Sequence, residues 1–474
     1  MSTRSRESVI LFPFMAQGHL IPYLALALRI QSKFGYNVTI VNTPLNIHKL
    51  QQLLPLNKTS KINLVELPFS CSDHNLPPNS ENTDVLPYPL IINLLKSLHS
   101  LKPHFHKFIS DHLVTPLCII SDIFLGWTVE IAQEFGIFHS VFVTGGAYGM
   151  GVFYSIWLNQ PQIHQKDSEE ILVPDFPQNY KIQRSQLSNL QLRATGTDTW
   201  SLFNKTELSQ TLNSDGFLIN TIEDFDQVGL SYFKSKLGQN SVWAVGPVAD
   251  YSLALKSKIT TTSSDIIQWL EKHEKSSVLY ISFGSQDTIS RSQIMELAIG
   301  LEKSNKNFIW VIRPPLGFDI NEEFRSEWKK KGLLVRKWAP QLEILSHKST
   351  SVFLSYCGWN SVLESLSFGV PIIGWPLGAD QLSNSRLLEE EMGVCVELAK
   401  GNRNEVKHED VVNEKESLFK NAIREDEGLE GSSVKGIKEF LAAALLRKKE
   451  KKMDHHGTTC TPRHPKPDCS SFTV

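Results

Sequence analysis

The chain has 474 residues, 41% of them hydrophobic, with 48 Lys and Arg against 50 Asp and Glu and a formal net charge of -2. That length supports two or three domains with sizeable cores, and the near-neutral balance argues against a nucleic-acid or acidic-membrane partner. Cys71, Cys118, Cys357, Cys395, Cys460 and Cys469 form no C-x-x-C pair and no metal-ligand spacing, so free thiols in a reducing compartment are expected. The polar start Met1–Ser8 leads into Val9–Ala16, an apolar run that reads as a buried strand and is short for a signal core. Helical spacing follows over Gly18–Lys33, with Leu20, Leu24, Ala27 and Leu28 on one face. Asn37–Asn42 and Lys61–Leu67 are strand-like, and Ile91–His112 is helical with a break expected at Pro103. Leu117–Ser121, Ser140–Val143, Phe217–Asn220 and Val242–Val245 are short apolar strands.

Near Gly246–Ser264 the pattern lapses into a Lys/Thr/Ser-rich stretch, a linker signal. Alternation restarts with strand Ser277–Phe283, helix Ser290–Lys303, and strands Asn307–Arg313, Ser351–Leu354 and Val370–Trp375. Apolar strands separated by helices imply parallel sheets covered on both faces. The expected fold is α/β, with two doubly wound Rossmann-like domains facing each other across a cleft. The expected divisions are 1–245, a linker at 246–264, 265–430, a helix at 431–446 and a disordered tail at 447–474. His455, His456, Cys460, His464 and Cys469 in that tail fit no common metal template. No segment reaches the ~20 uncharged apolar residues of a membrane helix, so a soluble, cytoplasmic protein is expected.

The densest signal runs from Trp338 to Gln381, WAPQLEILSHKSTSVFLSYCGWNSVLESLSFGVPIIGWPLGADQ. A strand, a turn at Gly358 and a helix from near Asn360 aim free N–H groups above the sheet, a setting that suits a phosphate. Ser361-x-x-Glu364 also fits a capping box, and Trp338 and Trp359 also fit plain core or surface aromatics. No G-x-G-x-x-G follows a strand and no G-x-S-x-G elbow is present, which disfavours a nicotinamide dehydrogenase and a serine hydrolase.

This stretch resembles the C-terminal signature of plant UDP-dependent glycosyltransferases of small molecules, and the resemblance extends over roughly residues 8–446. It implies a GT-B fold and an inverting transfer of glucose from UDP-glucose to a hydroxyl of a small apolar plant metabolite, giving a β-glucoside. It implies that Trp338 stacks on uracil and Ala339 holds its edge, while Gln341 and Glu364 address the ribose. Gly358, Asn360, Ser361 and Ser285 would hold the diphosphate, and Trp359, Asp380, Gln381 and Thr144 the sugar. Gln381 at the end of the signature goes with glucose. His19, just past the first strand, matches the catalytic base, and Asp122, past Leu117–Ser121, its partner. An imidazole at a strand-to-helix turn suits proton abstraction, and a carboxylate on its other nitrogen fixes the tautomer. In isolation His19 also fits a surface residue, and Asp122 a helix cap.

Phe12, Phe14, Trp127, Tyr148 and Phe153 are candidates for an apolar acceptor pocket, with core packing as the alternative. The expected partners are UDP-glucose and a small-molecule acceptor, on a monomer, with no nucleic acid, no stable membrane association, no metal and no further cofactor. Two departures from the family pattern stand out. Tyr356 replaces the usual His, which should weaken donor binding or slow transfer. About one to two dozen residues are missing before Gly431–Leu445, a helix that the resemblance implies packs back on the first domain, and the short approach should misplace it and loosen the cleft. Both motivate an alternative, a UDP-sugar-binding protein with weakened catalysis.

Overall fold

The computed structural model describes residues 7–54, 62–112, 114–160, 169–177, 180–248, 261–284, 289–313, 331–336, 338–399, 405–412 and 431–454. Its strands are β1 (Ser8–Phe12), β2 (Asn37–Asn42), β3 (Ile62–Glu66), β4 (Cys118–Ser121), β5 (Phe138–Val143), β6 (Glu170–Leu172), β7 (Lys181–Gln183), β8 (Gly216–Ile219), β9 (Val242–Ala244), β10 (Val278–Ser282), β11 (Asn307–Val311), β12 (Gly332–Val335), β13 (Thr350–Ser355), β14 (Ile372–Gly374) and β15 (Cys395–Glu397). Seven of them form one sheet, β3-β2-β1-β4-β5-β8-β9, and six form another, β12-β11-β10-β13-β14-β15. Pairing in both sheets is parallel, as where Val9 lies between Val38 and Cys118. β6 and β7 make a separate antiparallel hairpin.

The sheets are buried because helices cover both faces, which explains why β4, β5 and β10 are buried at every position, without alternation. On one face of the first sheet, helix Gln17–Phe34 buries Leu20, Leu24 and Ala27 against Val9 and Val38. On the other, Leu94, Leu98, Phe105 and Trp127 pack against Ile10 and Ile119. The break expected at Pro103 falls just before it. Helix Ile91–Ser97 passes through a tighter turn, Leu98–Leu101, into helix Lys102–Ser110. Pro103 then sits in a first helical turn, where its missing N–H costs nothing.

Each sheet has a point where strand order reverses, between β1 and β4 in the first and between β10 and β13 in the second. The carboxyl ends of strands at such points open a crevice. His19 follows β1 and Asp122 follows β4, while Gly284 follows β10 and Tyr356–Gly358 follow β13. The topology thus carries both sets of candidate residues to crevices that face each other.

The last helix, Gly431–Asp454, runs past the expected end at 446, so residues 447–454 of the expected tail are helical. It is seated on the first domain despite the short approach. Ile437, Phe440, Leu441 and Ala444 are buried against Trp243 and Val245, and the Phe440 ring lies 5.5 Å from Trp243 and 5.9 Å from Phe138. Helix Thr261–Glu271 starts inside the expected linker. Residues 249–260, the stretch 413–430 and the tail from 455 with its His and Cys residues lie outside the described residues. Among the described residues no helix is long and apolar enough to cross a membrane, and no group of three or more His, Cys, Asp and Glu is placed to hold a metal ion.

Candidate active site

β1 ends at Phe12 and the chain turns through Ala16, which accepts the backbone N–H groups of His19 and Leu20. The turn holds His19 over the carboxyl edge of the sheet. Nδ1 of His19 lies 2.7 Å from Oδ2 of Asp122, whose side chain is 1% exposed against 22% for His19. Oδ1 of Asp122 accepts the N–H of Phe124 at 3.3 Å, so the carboxylate caps its own turn and still faces the imidazole. The expected helix cap is thereby a turn cap, since the next helix starts only at Thr128. A carboxylate on Nδ1 calls for the Nδ1–H tautomer, which leaves the lone pair on Nε2. Thr144 Oγ1 stands 3.4 Å from Nδ1, and the rings of Phe14 and Phe124 flank the imidazole at 5.3 and 6.0 Å.

The two lobes meet around this histidine. Proline 22 interrupts the hydrogen-bond ladder of helix Gln17–Phe34, and its missing N–H frees the Gly18 carbonyl four residues earlier. Asn360 Nδ2 of the second lobe donates to that carbonyl at 3.0 Å. Trp359 donates its indole N–H to the Asn220 carbonyl at 2.5 Å, and a Cβ on Gly146 would come 3.0 Å from its ring. Trp359 is therefore a buried joint between lobes, and its indole N–H is committed to the backbone. Arg386 adds a bond to the Lys181 carbonyl at 2.9 Å and lies 5.1 Å over the Tyr180 ring.

A cavity of about 300 Å³ lies between the lobes. It brings together nine expected residues: His19, Asp122, Thr144, Tyr356, Gly358, Trp359, Asn360, Asp380 and Gln381. Gln381 Oε1 accepts the N–H groups of Leu377 and Gly378 at 2.9 and 3.1 Å, which points its amide nitrogen elsewhere. Asp380 accepts from Asn384 Nδ2 at 2.9 Å; burial raises its carboxyl pKa, and the Asn384 contact offsets only part of that.

Tyr356 fills the gap between the turns after β10 and β13. A Cβ on Gly284, at φ 81, would meet its ring at 2.7 Å, and one on Gly358 would collide with it outright. Burial pushes its hydroxyl up to about 12, so it stays a neutral donor, paired with Ser361.

Among the remaining expected residues, Gln341, Ser361 and Glu364 form a second group beside the cavity. Gln341 Nε2 donates to Ser361 Oγ at 2.9 Å and to Glu364 Oε2 at 2.6 Å, while its Oε1 accepts from Tyr280 at 3.0 Å. This corrects the capping-box expectation. Helix Trp359–Ser367 begins after Gly358 with no side-chain cap, and Glu364 faces Gln341 instead. Burial raises the Glu364 carboxyl to about 7. Trp338 is 62% exposed, one of the few large aromatics on the surface, and Ala339 next to it is buried. Ser285 lies outside the described residues.

Of the aromatic candidates, Phe14 and Phe153 line the cavity, whereas Phe12, Trp127 and Tyr148 are core residues at 0–1% exposure. Tyr88, Ile91, Leu95, Met150, Leu190 and Trp200 complete its apolar wall. These come from separate segments of the first lobe and share no local pattern that a sequence reading picks out. Asn220 and Tyr280 were likewise missed, because their roles arise only from tertiary contact.

Comparison with known proteins agrees with this geometry. The family model for UDP-glucoronosyl and UDP-glucosyl transferase matches residues 247–435. UDP-glycosyltransferase 92A1 of Arabidopsis thaliana is 42% identical over 482 aligned positions, covering 93% of this chain and 98% of that protein. Crocetin glucosyltransferase 3 of Crocus sativus is 41% identical, covering 85% and 89%. The crystal structure of Glycyrrhiza uralensis UGT73P12 with glycyrrhetinic acid 3-O-monoglucuronide superposes with a TM-score of 0.79 at 27% identity, covering 95% of this chain and 99% of that one. With its paired α/β lobes and its interlobe cavity, the chain belongs to the plant UDP-dependent glycosyltransferases.

Proposed function

We propose that the protein transfers glucose from UDP-glucose to a hydroxyl of a small apolar plant metabolite with inversion at the anomeric carbon. His19 is the base. Its Nε2 takes the proton as the acceptor oxygen attacks the anomeric carbon, and Asp122 stabilises the imidazolium that forms. The bond from the anomeric carbon to the diphosphate oxygen breaks on the opposite face, so an α-linked donor yields a β-glucoside and UDP. The leaving diphosphate gathers charge, which on this reading the start of helix Trp359–Ser367, Asn360, Ser361 and the Tyr356 hydroxyl meet. To receive it, Asn360 gives up the Gly18 carbonyl.

On this reading Trp338 stacks on uracil beside Ala339, Gln341 and Glu364 hold the ribose, and Asp380, Gln381 and Thr144 bind the sugar, with Trp359 walling the sugar site. Ser285 joins Gly358 at the diphosphate. Gln381 supports glucose as the sugar, because Gln at the end of the signature goes with glucose in the family; its oxygen is held by two backbone N–H groups, which leaves its amide donor for the sugar. Two similar proteins bear glucosyltransferase names, crocetin glucosyltransferase 3 and a flavonol 3-O-glucosyltransferase of Arabidopsis thaliana.

The observation that carries the proposal is the 2.7 Å His19–Asp122 contact inside a cavity shared with Gly358–Gln381 of the other lobe. It also weighs against a mere UDP-sugar-binding protein, which needs no such pair. The test is incubation of the purified protein with labelled UDP-glucose and a panel of plant phenols and terpenoid alcohols. Labelled β-glucosides are expected; UDP-glucose binding with no glucoside from any acceptor would favour the binding protein.

A further inference from the structure

Two buried amide side chains in the acceptor half of the cavity have a hydrogen-bonding atom with no protein partner. Gln191 is 5% exposed and Asn204 2%, and both line the cavity. Gln191 closes a capping box at helix Asn189–Arg193: its Oε1 accepts the Ser188 N–H at 3.0 Å, and its own N–H donates to Ser188 Oγ at 3.2 Å. The backbone donor fixes the oxygen, so Nε2 is free among the described residues. Asn204, on helix Thr199–Thr211, donates Nδ2 to the Trp200 carbonyl at 2.9 Å. That fixes the nitrogen, and Oδ1 is free among the described residues.

Neither atom is sealed in the core, so each keeps a hydrogen-bonding position that a ligand or water can complete. Here one donor and one acceptor, each fixed by a backbone contact of its own amide, belong to a lining that is mostly apolar. Thr83, Tyr88, Ser188 and the Trp157 indole N–H, unpartnered among the described residues, are among its other polar groups on that side. The charged residue types lining the cavity are His19, Asp122 and Asp380, and its described lining holds no Lys or Arg to pair an anion. A hydroxyl is the neutral group that both accepts and donates.

We infer that Gln191 Nε2 and Asn204 Oδ1 read a second, unreacting hydroxyl on the acceptor, so that the preferred substrates are neutral apolar molecules carrying two hydroxyls. This rests on the cavity being the acceptor site, as proposed above.

The test measures calorimetric Kd values for three matched probes: hydroxystilbene with one hydroxyl, dihydroxystilbene with one at each end, and the monomethyl ether of the latter. Two neutral hydrogen bonds predict roughly tenfold tighter binding of dihydroxystilbene over hydroxystilbene, beyond the about twofold that two equivalent ends supply. The ether, which accepts but cannot donate, should fall between them. Gln191→Leu and Asn204→Leu should each cut the preference for dihydroxystilbene. Gln191→Glu keeps the capping contact but removes the donor, and should abolish the advantage of the ether over hydroxystilbene. A wild-type preference of about twofold or less, or an ether advantage unchanged in Gln191→Glu, would overturn the inference. Transfer from labelled UDP-glucose is followed in parallel. Discrimination in Kd without glucoside would sink the glucosyltransferase reading and support the hydroxyl reader; glucoside formation with equal Kd values would do the reverse.

Discussion

Tyr356 sits where a histidine is usual in the family and wedges its ring between Gly284 and Gly358. A neutral phenol, held protonated by burial, gives a diphosphate an ordinary hydrogen bond. An imidazolium gives a charge-assisted one, about twice as strong. Tyr356→His should therefore raise kcat/KM for UDP-glucose by about tenfold, read from steady-state kinetics; no gain would refute the role given to this position. Glu364 carries a second prediction. Its carboxyl is raised to about 7 by burial, and only the ionised form accepts from two ribose hydroxyls at full strength. UDP binding should be strongest above that pH and weaken as pH falls through about 7, with proton release on binding near it. Calorimetric Kd values across that range check this, and Glu364→Gln should flatten the profile. The residue types were legible because the signature from Trp338 to Gln381 is contiguous. Their geometry was not: nothing local says that the Trp359 indole is spent on Asn220, or that Glu364 turns to Gln341 and leaves the helix start uncapped.

Element boundaries follow from burial more than from propensity. β1 stops at Phe12 although apolar residues continue to Ala16, because the chain must leave the sheet to seat His19. Strands β12 and β15 escape a sequence reading because each is only a few residues long and partly exposed. The short approach to the last helix suggested a loosened cleft. The helix is seated nonetheless, since Phe440 enters an aromatic nest with Phe138 and Trp243, and Gly436 lets the backbone press on Ala244. Phe440 is fully buried. Phe440→Ala should cost about 3–5 kcal/mol of stability in denaturant titration; a loss below about 1 kcal/mol would show that this docking contributes little.

At the scale of the molecule, two sheets present their reversal points to each other, and the function proposed needs both. The second lobe's share of the cavity was readable because it is compact in sequence, between Tyr356 and Gln381. The first lobe's share of the cavity was legible at His19, Asp122, Thr144, Phe14 and Phe153 but not beyond, because its wall is gathered from segments between Phe14 and Asn204 that meet only on folding. What unites the halves is an imidazole from one lobe lining the same cavity as Asp380 and Gln381 of the other. The most direct measurement is therefore glucoside formation by His19→Ala beside calorimetric binding of UDP. The account predicts a fall in kcat of about a hundred- to ten-thousand-fold with UDP affinity unchanged. Turnover within about twofold of the unaltered enzyme would contradict it.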